Sequence, residues 1–358
     1  MPEAIAGSPT CPVPQFSYEQ VVLGHGSGGR LTHNLIERLF LPAFANATLE
    51  RLEDQAIVRL DGHAIDSGVG RIAFTTDAFV VRPLFFPGGD IGRLAVHGTV
   101  NDLAVGGAIP QFISAAFILE EGLAIDDLRR IVESMRIACR ESGVQLVTGD
   151  TKVVERGKAD QVFITTSGIG SVPAGRSLSI ANARPGDRVI VSGTIGDHGI
   201  AIMSVREGLE FDTVLESDTA SLVDLVRVML DACAAIRCLR DPTRGGVAGT
   251  LNELAAASDV AVRLDETSLP IRPAVKAACE LLGLDPLHVA NEGKLVAVVP
   301  PEDAQRLLAV MRQHPQGREA AIIGTIEREP RKLVTMKSWI GGERVVAMLS
   351  GEMLPRIC

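Results

Sequence analysis

Residues 71–119 read RIAFTTDAFVVRPLFFPGGDIGRLAVHGTVNDLAVGGAIPQFISAAFIL, and this stretch decides the architecture of the first half of the chain. Residues 71–76 are an apolar strand that ends at an acid, Asp77. The next segment carries Pro83, Pro87 and two glycines, so it forms a loop. Residues 91–105 predict a helix, and the apolar run over 111–119 a buried strand. Further on, Ile125, Leu128, Val132, Met135 and Cys139 mark one face of a helix that Gly143 stops. Strands over 144–148 and 161–170 complete an α/β unit spanning residues 43–172.

Upstream, residues 1–42 are a proline-bearing leader, the glycine-rich stretch 24–29 and an amphipathic helix over 31–41. Downstream, the turn-rich ANARPGD (181–187) opens a second α/β unit, residues 173–333. Strands are expected at 188–192, 295–299 and 320–326, and helices at 220–236, 247–257, 274–282 and 302–312. Residues 334–358 read as a tail.

Composition excludes several classes. The formal charge of −9 and the lack of a basic run argue against nucleic acid as a partner. The longest apolar runs fall short of the roughly 18 residues that a membrane span needs. The six cysteines form no C-x-x-C pair or zinc-spaced cluster, which leaves the cytoplasm as the default compartment.

Four constellations carry chemistry. Gly24-His25-Gly26-Ser27-Gly28-Gly29 precedes a helix, so it is either an anion cradle of backbone N–H groups or a linker. Asp54, Asp77, Asp102 (after Asn101) and Asp150 recur in similar contexts. Asp77 and Asp150 are both expected at strand ends, where a sheet rim can gather them into a magnesium site; as single residues they also suit caps and turns. Lys152 follows on the same side as Asp150, beside a phosphate or in solvent. Asp241-Pro242-Thr243-Arg244-Gly245-Gly246 and Gly196-Asp197-His198-Gly199 resemble anion-facing loops, and Asn291-Glu292-Gly293-Lys294 sets an acid before a strand. For His198 and Glu292, catalysis and turn hydrogen bonding are both open readings. The chain ends in Pro355-Arg356-Ile357-Cys358, either an incidental cysteine or a swinging thiol that has no means of activating itself.

Together, GHGSGG (24–29), FTTDAFVVRPLFFPGGDIG (74–92), TVNDLAVGGA (99–108), GDTKVVERG (149–157), DPTRGG (241–246), NEGK (291–294) and PRIC (355–358) resemble the HypE family of hydrogenase maturation proteins, the carbamoyl dehydratases. The resemblance runs from about residue 21 to 358. It implies a two-domain α+β fold like that of aminoimidazole ribonucleotide synthetase, with a flexible C-terminal tail and N-terminal domains that pair through a β-barrel in a homodimer. It also implies ATP and Mg2+, loading of Cys358 by a HypF-like carbamoyltransferase, and dehydration of the resulting thiocarboxamide to a thiocyanate. The cyanide would then pass through a HypC–HypD-like complex to the iron of a [NiFe]-hydrogenase. On this resemblance Asp54, Asp77, Asp102 and Asp150 serve the metal. Gly26, Ser27, Gly28, Gly29, Asp77, Asn101, Gly149, Asp150, Thr151 and Asp241 serve the nucleotide. Cys358 carries the substrate, with Lys152 and Glu292 as base candidates. A small-molecule kinase or synthetase, or a non-catalytic thiol carrier, are the alternatives that Cys358 and the acids would discriminate.

Overall fold

The computed structural model describes residues 20–26, 28–44, 46–58, 71–208, 215–349 and 357–358. Helical turns open it: α1 (Arg30–Leu35) and α2 (Leu41–Phe44), joined by a π-turn over Ile36–Phe40, so the expected helix runs on past 41. The first domain follows with β1 (Ala56–Val58), β2 (Ile72–Phe79), a short hairpin of β3 (Phe85–Phe86) and β4 (Gly89–Asp90), and α3 (Ile91–Val105). After these come β5 (Ile109–Glu120), α4 (Ile125–Glu141), β6 (Gln145–Val154) and β7 (Val162–Ser171). The sheet order is β1-β2-β7-β5-β6.

Helix α3 starts because Asp90 is a good N-cap: its Oδ1 accepts from the Gly92 and Arg93 N–H groups at 2.8 and 3.0 Å. Its small and apolar residues are buried nearly all round, as befits a helix between two layers. One side packs on β2 and β7, and another meets the second domain at α6 and β9. On α4 the buried stripe is Ile131, Met135, Ala138 and Cys139, whereas Ile125 and Val132 are exposed. The expected face holds at Met135 and Cys139 but fails at Ile125 and Val132, because the buried i, i+4 row runs through Ile131 rather than Val132.

Two strands are longer than their apolar runs suggested. Strand β2 continues through Asp77 to Phe79, held in register with β7 from Ile72↔Ser171 to Phe79↔Ile164. Alternation then turns Thr75, Asp77 and Phe79 toward α3. Strand β6 runs unbroken through Gly149, Asp150, Thr151 and Lys152, so Asp150 does not end a strand. Ladder pairing with β5 carries the polar residues along.

The second domain comprises β8 (Arg188–Val191), α5 (Asp197–Glu207), α6 (Val223–Ala232), β9 (Cys238–Arg240), α7 (Gly246–Ser258), β10 (Ala261–Asp265), α8 (Pro273–Leu282), β11 (Val296–Val299), α9 (Pro301–Gln313), β12 (Ala321–Glu327), β13 (Leu333–Lys337) and β14 (Glu343–Val345). Its sheet order is β14-β13-β10-β12-β8-β11-β9. The region expected to be tail is therefore in part core. Strand β13 pairs in parallel with β10, and Val346, fully buried, donates its N–H to the Val334 carbonyl at 2.8 Å. Of the last two residues, which are described, Ile357 is buried in an apolar cluster with Phe79, Phe86 and Ile91 of the first domain.

Candidate active site

Three carboxylates from distant parts of the chain converge where the domains meet. Asp54 precedes β1, Asp102 lies on α3 and Asp241 follows β9, yet one oxygen of each lies within 4.8 Å of the others. Thr75 holds two of the segments together: its hydroxyl is 2.7 Å from Asp102 Oδ2 and 2.9 Å from the Asp54 carbonyl oxygen. Asp77, two residues along β2, accepts from the Thr99 hydroxyl at 3.0 Å. Arg240 pairs with Asp54 at 2.7 Å but shares itself with Glu253 at 2.9 Å. Burial pushes Asp54 and Asp102 well above the usual carboxylate range, with the neighbouring acids adding to it. Asp241 is pushed up to about 6 by burial and Asp77, against the pull of Arg240. Such a cluster of hard oxygen donors, short of positive charge, fits a divalent cation such as Mg2+.

The last residue arrives beside these acids. Cys358 lines one cavity with Asp77, Asp102, Asp241, Arg244 and Glu292, and the room left beside the thiol is about 40 Å³, enough for a water or two. Burial pushes the thiol up to about 12; Arg244 pulls it down, while Glu292 and Asp77 push it further. Glu292 is 3% exposed, and its Oε1 has no hydrogen-bond partner among the described residues. Burial, with Asp218 and Asp241, raises its carboxyl well above the ordinary range. Gly293 explains why this loop can sit here, since a Cβ on it would fall 1.8 Å from the Asp218 carbonyl oxygen. Asn291, wholly buried, braces three loops: Oδ1 accepts from Gly196 N–H at 2.8 Å, and Nδ2 donates to the Pro242 and Val289 carbonyls at 3.0 and 3.1 Å.

Residues 52–172 match the profile of the AIR synthase related protein N-terminal domain, and residues 184–337 that of its C-terminal domain. A protein of Azotobacter vinelandii named carbamoyl dehydratase HypE is 58% identical over 338 residues, covering 94% of this chain and 97% of the relative. The carbamoyl dehydratase HypE of Escherichia coli K12 is 47% identical over 338 residues, 94% and 99% of the two chains. The chain belongs to the HypE family of carbamoyl dehydratases. Among solved structures, HypE in a HypE–HypF complex superposes with a TM-score of 0.81 at 50% identity, over 88% of this chain and 99% of that one. HypE in complex with ATP gives 0.78 at 48% identity, over 93% and 98%. The two-domain α+β fold of this superfamily is thus the fold of this chain.

Against the HypE resemblance drawn from sequence, the site is partly re-sorted. Asp54, Asp102 and Asp241 assemble, with Asp77 beside them in the cavity wall. Asp150 does not join them. It lies on the exposed edge strand β6 and pairs with Lys152 at 2.9 Å, both side chains more than 60% exposed. Neither lines the Cys358 cavity, and nor does Thr151. Gly149 serves the sheet, because a Cβ there would meet the Ala115 carbonyl oxygen at 2.4 Å. Asn101 is a bridge between domains rather than a free amide: Nδ2 donates to the Ala220 carbonyl at 3.0 Å and Oδ1 accepts from Leu222 N–H at 2.7 Å. Its buried amide is spent on this contact.

The glycine stretch does come to the site's edge. Gly26 accepts from Arg244 Nη1 at 3.2 Å, and Gly28, at φ +72°, packs so closely on Arg244 that a Cβ would lie 2.8 Å from its carbonyl oxygen. One amide of the expected cradle is already used, Gly28 N–H by Thr32 Oγ1 at 3.0 Å, and just beyond it Arg30 N–H donates to the Leu349 carbonyl at 2.7 Å. Gly29 packs on Leu349, and Ser27 lies outside the described residues, as do Pro355 and Arg356. Sequence reasoning missed Arg240, Thr75 and Thr99 as site residues, and named Arg244 only as a member of an anion-facing loop, with no role of its own. The signal was there for Thr75, two positions before Asp77 on a strand, but the arginines declare themselves only once β9 meets the first domain.

Proposed function

We propose that this chain uses ATP and Mg2+ to dehydrate a thiocarboxamide carried on Cys358, giving a thiocyanate that supplies the cyanide ligand of [NiFe]-hydrogenase iron. One observation carries the reading: the sulfur of the last residue is seated in a cavity walled by the acids of the candidate metal site, Arg244 and Glu292. The reaction turns S–C(=O)–NH2 and ATP into S–C≡N, ADP and inorganic phosphate. The amide oxygen leaves as part of the phosphate, and both protons leave the nitrogen. ATP makes that oxygen a competent leaving group. Asp54, Asp102 and Asp241 would hold the metal, which neutralises phosphate charge.

The residues of the chain divide the rest of the work. Glu292 is the base for the nitrogen-bound protons: its raised pKa brings a carboxylate closer to the operating pH, where general bases are most effective. Arg244, held charged by Cys358 and by the acids around it, faces the negative charge that develops on the departing oxygen. The seated thiol is held protonated and is a poor nucleophile there. Loading therefore belongs to another site, that of a HypF-like carbamoyltransferase, and the product passes to a HypC–HypD-like complex, in a cytoplasm that keeps the thiol reduced.

A homodimer is part of this reading. Phe74, Ile169 and Phe112 lie side by side across β2, β7 and β5 and are about 40% exposed or more, on the sheet face away from α3. Beside them β6 is exposed along nearly its whole length as an unpaired edge. A second copy is the occupant that closes both into a barrel. It would also give Asp150, Thr151 and Lys152 a role, at the nucleotide of the other protomer. The deciding experiment is intact-mass analysis of the carbamoyl-loaded chain after ATP and Mg2+ are added. Loss of one water from the C-terminal peptide is expected; an unchanged mass overturns the assignment. Cys358→Ser should still bind ATP but yield no dehydrated product, whereas a kinase would go on phosphorylating a free substrate. A pure carrier would depend on neither ATP nor Asp77.

A further inference from the structure

His198, near the start of α5, is completely buried and does not line the Cys358 cavity. Its Nε2 lies 2.5 Å from the carbonyl oxygen of Ile357, and its Nδ1 lies 2.7 Å from Ser217 Oγ. A carbonyl oxygen only accepts, so the ring proton sits on Nε2 and Nδ1 is an acceptor. Ser217 completes the chain consistently: its oxygen accepts from Thr219 N–H at 3.1 Å, which frees its own proton for Nδ1. Phe86 stands edge-on to the imidazole at 5.7 Å between centroids and limits its rotation. Burial favours the neutral ring that this network needs.

The same two residues of the tail are held at two other points. Val80 N–H donates to a terminal carboxylate oxygen of Cys358 at 3.1 Å, and the Ile357 side chain, 5% exposed, fills the apolar cluster that includes Phe86 and Ile202. His198 and Ser217 belong to the second domain and Val80 and Phe86 to the first, so the chain end is clasped from both sides.

We propose that His198, oriented by Ser217, is a positioning residue that grips the peptide carbonyl one residue before the reactive cysteine and so fixes the register of the C-terminal arm in the active site. Register matters because the adjacent side chains of Ile357 and Cys358 go to different places, the apolar cluster and the metal-site cavity. A slip of one residue moves the sulfur by about 3.5 Å and turns it to the opposite side of the backbone. An apolar slot for Ile357 sets depth; a directional hydrogen bond to the main chain adds rotation about the arm. With both fixed, the group on sulfur meets Glu292 and the metal-site acids in one orientation. This last consequence rests on the dehydratase reading, whereas the clasp itself does not.

The experiment uses the full-length reduced chain and follows Cys358 by mass spectrometry of the C-terminal peptide. Iodoacetamide should modify Cys358 about tenfold faster in His198→Ala than in the wild type, and severalfold faster in Ser217→Ala. His198→Gln, whose amide N–H2 can still donate to the carbonyl, should restore most of the protection. In carbamoyl-loaded chains, single-turnover dehydration should fall at least tenfold in His198→Ala, with the loading rate and the KM for ATP unchanged and with rescue by His198→Gln. Loss of the position of the sulfur by an ångström is sufficient for such a drop. Wild-type alkylation and dehydration in both His198→Ala and Ser217→Ala overturn the inference, as does equal loss in His198→Gln and His198→Ala. If His198→Ala does not fold, as judged by circular dichroism, Ser217→Ala alone decides. A wild-type chain that protects Cys358 but never loses water overturns the dehydratase reading and leaves the clasp standing.

Discussion

At the scale of single residues, the chemistry of this protein is governed by what burial does to ionisable groups. The seated Cys358 is raised from an ordinary thiol value to about 12, chiefly by desolvation. Seating therefore favours the neutral thiol: its contribution is whole below the free-thiol pKa of about 8.5 and is lost as pH rises through 12. Alkylation of Cys358 should keep accelerating up to pH 11 instead of levelling off near 9, and a plateau at 9 would mean that the thiol spends its time outside the cleft. Glu292 is the other decisive residue. Glu292→Gln keeps the shape and removes the base, so the dehydration rate of the loaded chain should fall by about 10² to 10⁴. ATP affinity, measured by calorimetry, should change little. A variant with normal turnover would return the role to Lys152.

At the scale of elements, α3 is the member on which the site is assembled, since it carries Thr99, Asn101 and Asp102 toward two different partners. Its start is fixed by one carboxylate. Asp90→Ala leaves the Gly92 and Arg93 N–H groups without their acceptor and should cost about 1 kcal/mol of stability in urea unfolding. The same variant should lower Mg2+ affinity less than it lowers stability, because the last turn of the helix remains packed. Strand β2 makes the complementary point: its period of two delivers Thr75 and Asp77 to the helix while leaving Phe74 and Thr76 outside.

At the scale of the whole molecule, the candidate active site lies where two domains and the chain end meet. Asp54 and Asp102 come from the first domain, Asp241, Arg244 and Glu292 from the second, and Cys358 from the terminus. The exposed face of the five-stranded sheet extends the argument to an assembly. Phe112→Asp should convert the proposed dimer to a monomer in sedimentation equilibrium, with the far-ultraviolet dichroism unchanged. A wild-type chain that sediments as a monomer would remove the barrel and, with it, the role given to Lys152.

The amino-acid sequence by itself determined the elements whose pattern is local: the helix over residues 91–105, the α4 helix, the apolar strands of both halves, and the terminal thiol with its family. Short-range periodicity and capping depend on neighbours a few residues apart, so they are written in the chain. It also named Asp54, Asp77, Asp102, Asp241 and Glu292, and the family resemblance grouped Asp54, Asp77 and Asp102 at the metal, though with Asp150 in place of Asp241. Only the tertiary structure decided that Asp241 joins Asp54 and Asp102 while Asp150 stays on an exposed edge. It alone decided that residues 334–337 and 343–345 are built into a sheet and that His198 reaches Ile357 across 159 positions of sequence. Ladder register and domain docking set those distances, and both are products of long-range packing that no local pattern encodes.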